Sequence, residues 1–442
     1  MEILSAAEST DQQRRIAGGL LAAGVRAGDR VALRTTSSGL MLSGILGALR
    51  VGIVPVLLNA GLLDHERLAL LDDAGPARVI DDAELARLAS SRPTDLAAHP
   101  LARPMHYTSG TTGIPKGVWT GVLDDADAAA LVGEEADLWQ FDADDRHLVC
   151  SPFHHSVAIR FGGGTLLAGG TVMILGAFDA HAAATAIASH RPTTTFMVPA
   201  HLQRLFALAE LPPLDSLRLA VHAGAPCPPL LKHAAIKAFG VDKVWEFYGS
   251  TEGQFTACSA GDWLDHPGSV GRVRRNRELS TDDDGTIWCE VPPYARFEYW
   301  RDPAKTARSW RPPAHEGAHG AFTVGDVGRL DAEGYLYLDG RRDDLIITGG
   351  VNVYPMEIEH AIADHPGIVQ VAVFGVDDES WGQRVCAAVV GTATPEDVIV
   401  YARSRLAPYK CPKNVFILDE LPLTSTGKLK RSSLPELLEG AI

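Results

Sequence analysis

The run Tyr107-Thr-Ser-Gly-Thr-Thr-Gly-Ile-Pro-Lys-Gly-Val118 concentrates three glycines, three threonines, one serine and one lysine in twelve residues. Glycine lets a backbone fold tightly enough to aim several N–H groups at one anion. Thr108, Ser109, Thr111 and Thr112 add hydroxyls that rotate onto phosphate oxygens, and Lys116 adds a mobile positive charge. Such chemistry suits a polyphosphate. The run differs from the ordinary nucleotide P-loop, G-x-x-x-x-G-K-[ST], because Lys116 follows Pro115 and precedes Gly117.

Further stretches carry complementary chemistry in a fixed order. His154 and His155 follow Ser151-Pro-Phe, ahead of the glycines Gly162–Gly164. In Tyr248-Gly-Ser-Thr-Glu252, Glu252 can hold Mg²⁺ and Thr251 can bond a phosphate oxygen, Mg²⁺ favouring one or two carboxylates plus phosphates. The same residues also suit a capped helix start. Asp326 can accept from sugar hydroxyls or simply close a turn. Gly340-Arg-Arg-Asp-Asp344 sets charges beside the turn Thr348-Gly-Gly350, and Pro422–Lys428 puts Lys428 in a turn near the end of the sequence.

The elements that must hold these groups alternate. Helical periodicity over 10–26, 39–50 and 62–74 interleaves with strands at 30–34, 53–58 and 78–81, and residues 87–104 read as a connection. Beyond the phosphate-type loop, helices at 124–139, near 157–167 and at 180–189 alternate with strands at 147–150, 171–174, 194–198, 217–222 and 244–247. This predicts an α/β fold with mostly parallel sheets and helices on both faces. Ligands of such sheets sit at the carboxyl ends of strands, which marks the exits at 222–226 and 248–252 as a rim. From about Gly268 short turn-punctuated strands predict an antiparallel, barrel-like subdomain, and 345–442 a small α+β unit with a helix at 355–364.

Composition narrows the partners. A formal charge of −15 argues against non-specific nucleic-acid or anionic-membrane binding, so positive charge for a polyanion must be local. The six cysteines show no C-x-x-C and no metal spacing, and the first residues lack a signal-peptide core. Apolar runs such as 40–58 are broken by Gly, Arg50 and Pro55, which predicts no membrane span. A cytoplasmic protein is expected.

As a set, the motifs Tyr107–Val118, Tyr248–Glu252, Gly325-Asp326, Gly340–Asp344, Pro355-Met-Glu-Ile-Glu359 and Pro422–Lys428 resemble the adenylate-forming superfamily of acyl-CoA synthetases, luciferase and peptide-synthetase adenylation domains. The resemblance spans nearly the whole chain. It implies a nucleotide-binding domain over 1–340, a hinge at 341–344 centred on Asp343, and a mobile C-terminal domain over 345–442. It further implies that an acid is joined to the α-phosphate of ATP with loss of pyrophosphate, then passed to coenzyme A. By resemblance, Thr108, Ser109, Gly110, Thr111, Thr112 and Lys116 hold the β- and γ-phosphates, and Glu252 ligates Mg²⁺. Thr251 meets the α-phosphate, Gly224, Ala225, Pro226, Tyr248 and Gly249 line the adenine slot, and Asp326 and Arg341 hold the ribose. Lys428 bridges the two reacting anions, and Gly349 and Gly350 serve the CoA channel.

The acid is expected to exceed acetate in size, because Gly249 stands where acetate-specific relatives carry a pocket-closing tryptophan. A medium-to-long acyl or aryl acid follows, with His155 and Gly249 in its pocket; Arg160 and His155 suit a second carboxylate, and Arg160 on a helix equally suits a surface or ion-pair position. The aminoacyl-adenylating relatives hold their substrate's ammonium with an aspartate; no clear equivalent stands in 220–256, although Glu246 and Asp242 lie nearby. The N-terminal region and 272–300 are shorter than in typical members, a change that touches the acyl channel or a homodimer surface. The alternatives are loading of a carrier protein's phosphopantetheine and a non-catalytic ATP-binding relative; the second should lack Glu252 or Lys428, and both are present.

Overall fold

The computed structural model describes residues 1–59, 61–108, 115–313, 319–341, 344–348, 351–378, 380–423 and 429–438. Five parallel strands lie at its centre, in the order Thr171–Ile174, Arg146–Val149, Thr194–Met197, Leu219–His222, Val244–Gly249. Most of their buried residues are apolar, as strands covered on both faces require, with His147, Thr194, Thr195, His222 and Glu246 as buried polar exceptions. Glu2–Ser5 adds antiparallel at one edge. At the other edge follow, all antiparallel, Gln254–Ser259, Ser269–Val273, Tyr335–Arg341 and Asp326–Leu330.

The switch to antiparallel pairing therefore comes one strand before residue 268, where the sequence suggests it. The cause is local: the Ser250 N–H donates to the Gly253 carbonyl at 2.8 Å, closing a tight turn that reverses the chain. A separate four-stranded antiparallel sheet (Glu278–Thr281, Ile287–Glu290, Ala321–Phe322, Trp310–Arg311) packs beside it around Phe255, Phe297 and Phe322.

One face of the parallel strands packs on helices Ala180–His190, Pro199–Phe206 and Pro229–Phe239, through Leu148, Met173, Leu205 and Phe239. The other carries Trp139, Phe161, Phe196 and Phe247, covered by helix Ser156–Leu167. Glycines 162–164 lie inside that helix, as expected; a Cβ on Gly164 would stand 2.4 Å from the Phe141 ring, so glycine permits the close packing. Before this core, Val54–Leu57, Arg30–Arg34 and Arg78–Asp81 form a parallel three-stranded sheet. The connection expected over 87–104 begins later, because Asp81 caps a short helix, Asp82–Leu88, by accepting from the Glu84 N–H.

The smaller C-terminal domain is a five-stranded sheet with helices Pro355–Ala363 and Pro395–Arg403, the second started by a Thr394/Asp397 capping box. Among the described residues, no helix is long and apolar enough to cross a membrane.

Candidate functional site

The strands His106–Thr108 and Lys116–Trp119 pair antiparallel and bracket the glycine-threonine loop, so its two ends are held side by side. Tyr107 is pinned by its hydroxyl, which donates to Asp73 Oδ2 at 2.7 Å. Lys116 Nζ lies 3.3 Å from Asp302 Oδ2. Residues 109–114, and with them Ser109, Gly110, Thr111 and Thr112, lie outside the described residues, as do Asp343, Gly349, Gly350 and Lys428.

The structure brings together three residues far apart in sequence. Tyr248 Oη donates to Asp326 Oδ2 at 2.5 Å, and Arg341 Nε donates to Asp326 Oδ1 at 3.0 Å. Tyr248 ends a parallel strand, while Asp326 and Arg341 face each other across an antiparallel pair. Burial raises the Asp326 carboxyl despite the opposing pull of Arg341, and burial beside Asp326 raises the Tyr248 phenol, so the phenol remains a donor. Gly224 follows the neighbouring strand with φ +91°, a turn that Ala225 and Pro226 continue. Together these residues form a rim at the carboxyl ends of the strands, where an open α/β sheet holds its ligand.

Glu252 lies beside that rim and is 6% exposed. Its Oε1 accepts from Tyr299 Oη at 2.8 Å, and Arg103 donates to the Thr251 carbonyl at 2.8 Å. A buried, hard oxygen donor of this kind fits Mg²⁺, which takes few protein carboxylates and completes its shell with phosphate and water. Among the described residues no cluster of three or more His, Cys, Asp or Glu side chains stands together. Tyr299, Arg103 and Asp302 escaped the sequence reading. For Asp302 a signal existed, since Asp-Pro followed by a helix is an N-cap pattern; Tyr299 and Arg103 act only through contacts 47 and 148 residues away.

The other side of the strands is different. The rings of His154 and His155 lie 4.3 Å apart, and His106 Nδ1 lies 3.1 Å from the His154 carbonyl. Burial pushes His106 down to about 4 and lowers His154 as well, so both rings are neutral near pH 7. The Nε2 atoms of both are buried without a protein partner among the described residues. Arg160 is no surface residue: its Nε lies 3.5 Å from Glu135 Oε2 and its guanidinium 5.4 Å from the Phe247 ring. Arg274 shares Glu135 at 2.8 Å. Burial works against the Glu135 charge, yet Arg160 and Arg274 together hold its carboxyl down to about 2. Burial in turn lowers Arg160 to about 10.

One expectation changes. A Cβ on Gly249 would stand 2.9 Å from the Gly253 carbonyl oxygen, so this glycine accommodates its own hairpin and register shift rather than opening acyl space. Glu246 cannot receive a substrate ammonium, because buried Lys232 already occupies it at 2.5 Å.

Five parallel strands with the buried carboxylates Asp326 and Glu252 at their exits, together with the similarities that follow, define an adenylate-forming enzyme of the acyl-CoA synthetase type, an acid–thiol ligase. Models of the AMP-binding enzyme family match residues 2–101 and 92–287, and that of the AMP-binding enzyme C-terminal domain matches 357–428. The 2-succinylbenzoate–CoA ligase of Geobacillus sp. (strain WCH70) is 33% identical over 460 residues, covering 94% of this chain and 89% of that protein. The o-succinylbenzoate CoA synthetase of Bacillus subtilis, solved with its acyl-adenylate intermediate, superposes with a TM-score of 0.82 at 28% identity, covering 97% and 92% of the two chains. The same enzyme has been solved with ATP and magnesium ion (TM-score 0.82, 27% identity, 97% and 94% covered). ATP-bound MatB from Rhodopseudomonas palustris gives a TM-score of 0.85 at 30% identity, covering 98% and 93%. The chain belongs to the AMP-binding enzyme family.

Proposed function

We propose that this enzyme activates an aryl carboxylic acid bearing a second carboxylate, of the 2-succinylbenzoate kind, and transfers it to coenzyme A. The relatives' named substrate supports this reading, as does the acid side of the site. There, aromatic Trp139, Phe161, Phe196 and Phe247 adjoin Arg160, which shares its carboxylate with Arg274, and two histidine Nε2 atoms without protein partners among the described residues. Two guanidinium groups on one carboxylate leave net positive charge in an enclosed place, and that favours an anion. A plain fatty acid makes no use of it.

In the first step a substrate carboxylate oxygen attacks the α-phosphorus of ATP, and the bond to the β-phosphate oxygen breaks to release pyrophosphate. In the second the thiol sulfur of coenzyme A attacks the acyl carbon, the thiol proton passes to solvent and AMP leaves. Both steps oppose anions, so positioning and charge neutralisation dominate over proton transfer. Tyr248 and the Gly224-Ala225-Pro226 turn take the adenine, and Asp326 with Arg341 takes the ribose hydroxyls. Thr251 and the loop from Thr108 to Lys116 take the phosphates. Mg²⁺ supplies charge neutralisation to the phosphates when bound, and Glu252 is the residue that would hold it.

Domain limits of 1–340 and 345–442 with a hinge at Asp343 belong to the same reading. Lys428 serves adenylation and Gly349-Gly350 the thiol channel. Lys428→Ala is expected to abolish acyl-AMP formation while sparing thioester formation from supplied acyl-AMP; equal loss of both half-reactions would remove that assignment.

The observation that carries the proposal is the Tyr248–Asp326–Arg341 cluster standing beside buried Glu252. The test is pyrophosphate release with ATP, Mg²⁺ and a panel of acetate, fatty, benzoic and succinylbenzoic acids, with and without coenzyme A. CoA-dependent turnover confined to aryl diacids is expected. Turnover on fatty acids alone would overturn the substrate, and acid-dependent exchange indifferent to coenzyme A would indicate a carrier protein as acceptor.

A further inference from the structure

The segment 298–306 supports both halves of the phosphate machinery. Its strand residues Glu298 and Tyr299 pair with Trp119 and Val118, directly beyond Lys116. Asp302 caps the helix Pro303–Ser309 through Oδ1, which accepts from the Lys305 N–H at 2.9 Å, and turns Oδ2 toward Lys116. Tyr299 is fixed from several directions. Its N–H donates to Thr306 Oγ1 at 2.9 Å, its ring meets Phe297 edge-on at 5.4 Å, and Lys305 Nζ sits 3.8 Å above the ring centre. The residue is 5% exposed, and its only hydrogen-bonding side-chain atom is aimed at Glu252 Oε1. Among the described residues, nothing donates a hydrogen bond to Glu252 Oε2.

We infer that Tyr299 is a positioning residue that holds one oxygen of Glu252 so that the other is presented to Mg²⁺. The inference rests on the reading of Glu252 as the metal ligand. A ligating carboxylate with two free oxygens rotates about its terminal torsion; one bonded to a rigid phenol does not. An ordinary phenol keeps its proton across the pH range of an assay, so Tyr299 is the donor in its bond to Glu252 Oε1. The cation over the ring withdraws density from it and strengthens that donation. Groups in this supporting position set metal affinity by about 10–100-fold when removed.

The test measures ATP binding by calorimetry without acid, across a Mg²⁺ titration, in the full-length protein and in Tyr299→Phe and Glu252→Gln. AMP binding without metal and the melting temperature of the free protein serve as controls. Tyr299→Phe is expected to raise the Mg²⁺ concentration needed for half-maximal ATP binding about 10-fold and to leave metal-free AMP binding unchanged. Glu252→Gln is expected to remove the Mg²⁺ dependence, with no further loss on adding Tyr299→Phe. If Glu252→Gln loses the dependence and Tyr299→Phe keeps it, the positioning role is wrong while the metal ligand stands. If Glu252→Gln keeps the dependence, the metal assignment falls, and the inference with it. Should Tyr299→Phe weaken metal-free AMP binding as much as Mg²⁺-dependent ATP binding, its role is structural and the inference is overturned.

Discussion

The two sides of the parallel strands spend their polar groups differently. On the nucleotide side, Tyr248 and Arg341 each bond one oxygen of Asp326, and Tyr299 bonds Glu252. On the acid side, Arg160 and Arg274 crowd one carboxylate, and the Nε2 atoms of His106 and His154 are buried without a protein partner among the described residues. Buried polar atoms in native proteins nearly always find partners, so a set without them marks where a ligand or water belongs. On the proposed function, ATP is the same in every turnover and its side is pre-organised by internal pairs, whereas the acid side leaves its recognition groups for the substrate to complete.

The comparison breaks if Asp326→Ala discriminates among acids. That variant removes two hydrogen bonds to a charged acceptor, about 1.5–3 kcal/mol each. Its kcat/KM is expected to fall roughly 10²–10⁴-fold for every acid alike, as initial rates on the acid panel will show. Arg160→Met is expected to act selectively. Rates should fall about 30-fold for acids with a second carboxylate, the cost of an unpaired charged group, while benzoate-type acids keep theirs. Equal losses on both would mean that Arg160 serves only to hold Glu135.

Gly249→Ala sharpens the boundary between the two sides. Its Cβ meets hairpin backbone, so a loss of stability of about 1–2 kcal/mol is expected, with the preference among acids of different chain length unchanged. Thermal melting and the acid panel together check this.

The last effect concerns protons. His106 and His222 are held down to about 4, His201 to about 4 and His147 to about 3, all chiefly by burial. Their unfolded forms titrate near 6.5, so as pH falls below that value the unfolded chain takes up protons that the folded chain refuses. Stability is therefore full above about pH 7 and declines toward pH 4, by about 1 kcal/mol per histidine per pH unit. His222→Gln should remove one such increment, read as a shallower fall in urea-unfolding free energy between pH 6.5 and 5.5.

Much of this was legible in the sequence. The strand Thr171–Ile174 and the helices beginning at Gly39 and Ala180 fall where periodicity places them, because a strand buried on both faces must be apolar and a helix over it must repeat at 3.6 residues. Tyr248, Glu252, Asp326 and Arg341 stand in motifs and do converge. What failed was reading space from residue size: Gly249 looked like an opened pocket, yet its missing side chain is where its own hairpin passes. Arg160 could be read as surface or as ligand, and proved to be shared with Glu135 from another helix.

Composition and local pattern, by themselves, determined the α/β alternation, the anion loop and the family, since each depends on residues adjacent in the chain. Only the tertiary structure decided which groups pair: Lys116 with Asp302 and Lys232 with Glu246 as ions, Tyr299 with Glu252 by a hydrogen bond. Those pairs join separate elements, 14 residues apart in one case and 47 in another. The energy of a charge depends on its distance to partners and on its burial, and neither quantity exists until the chain is folded.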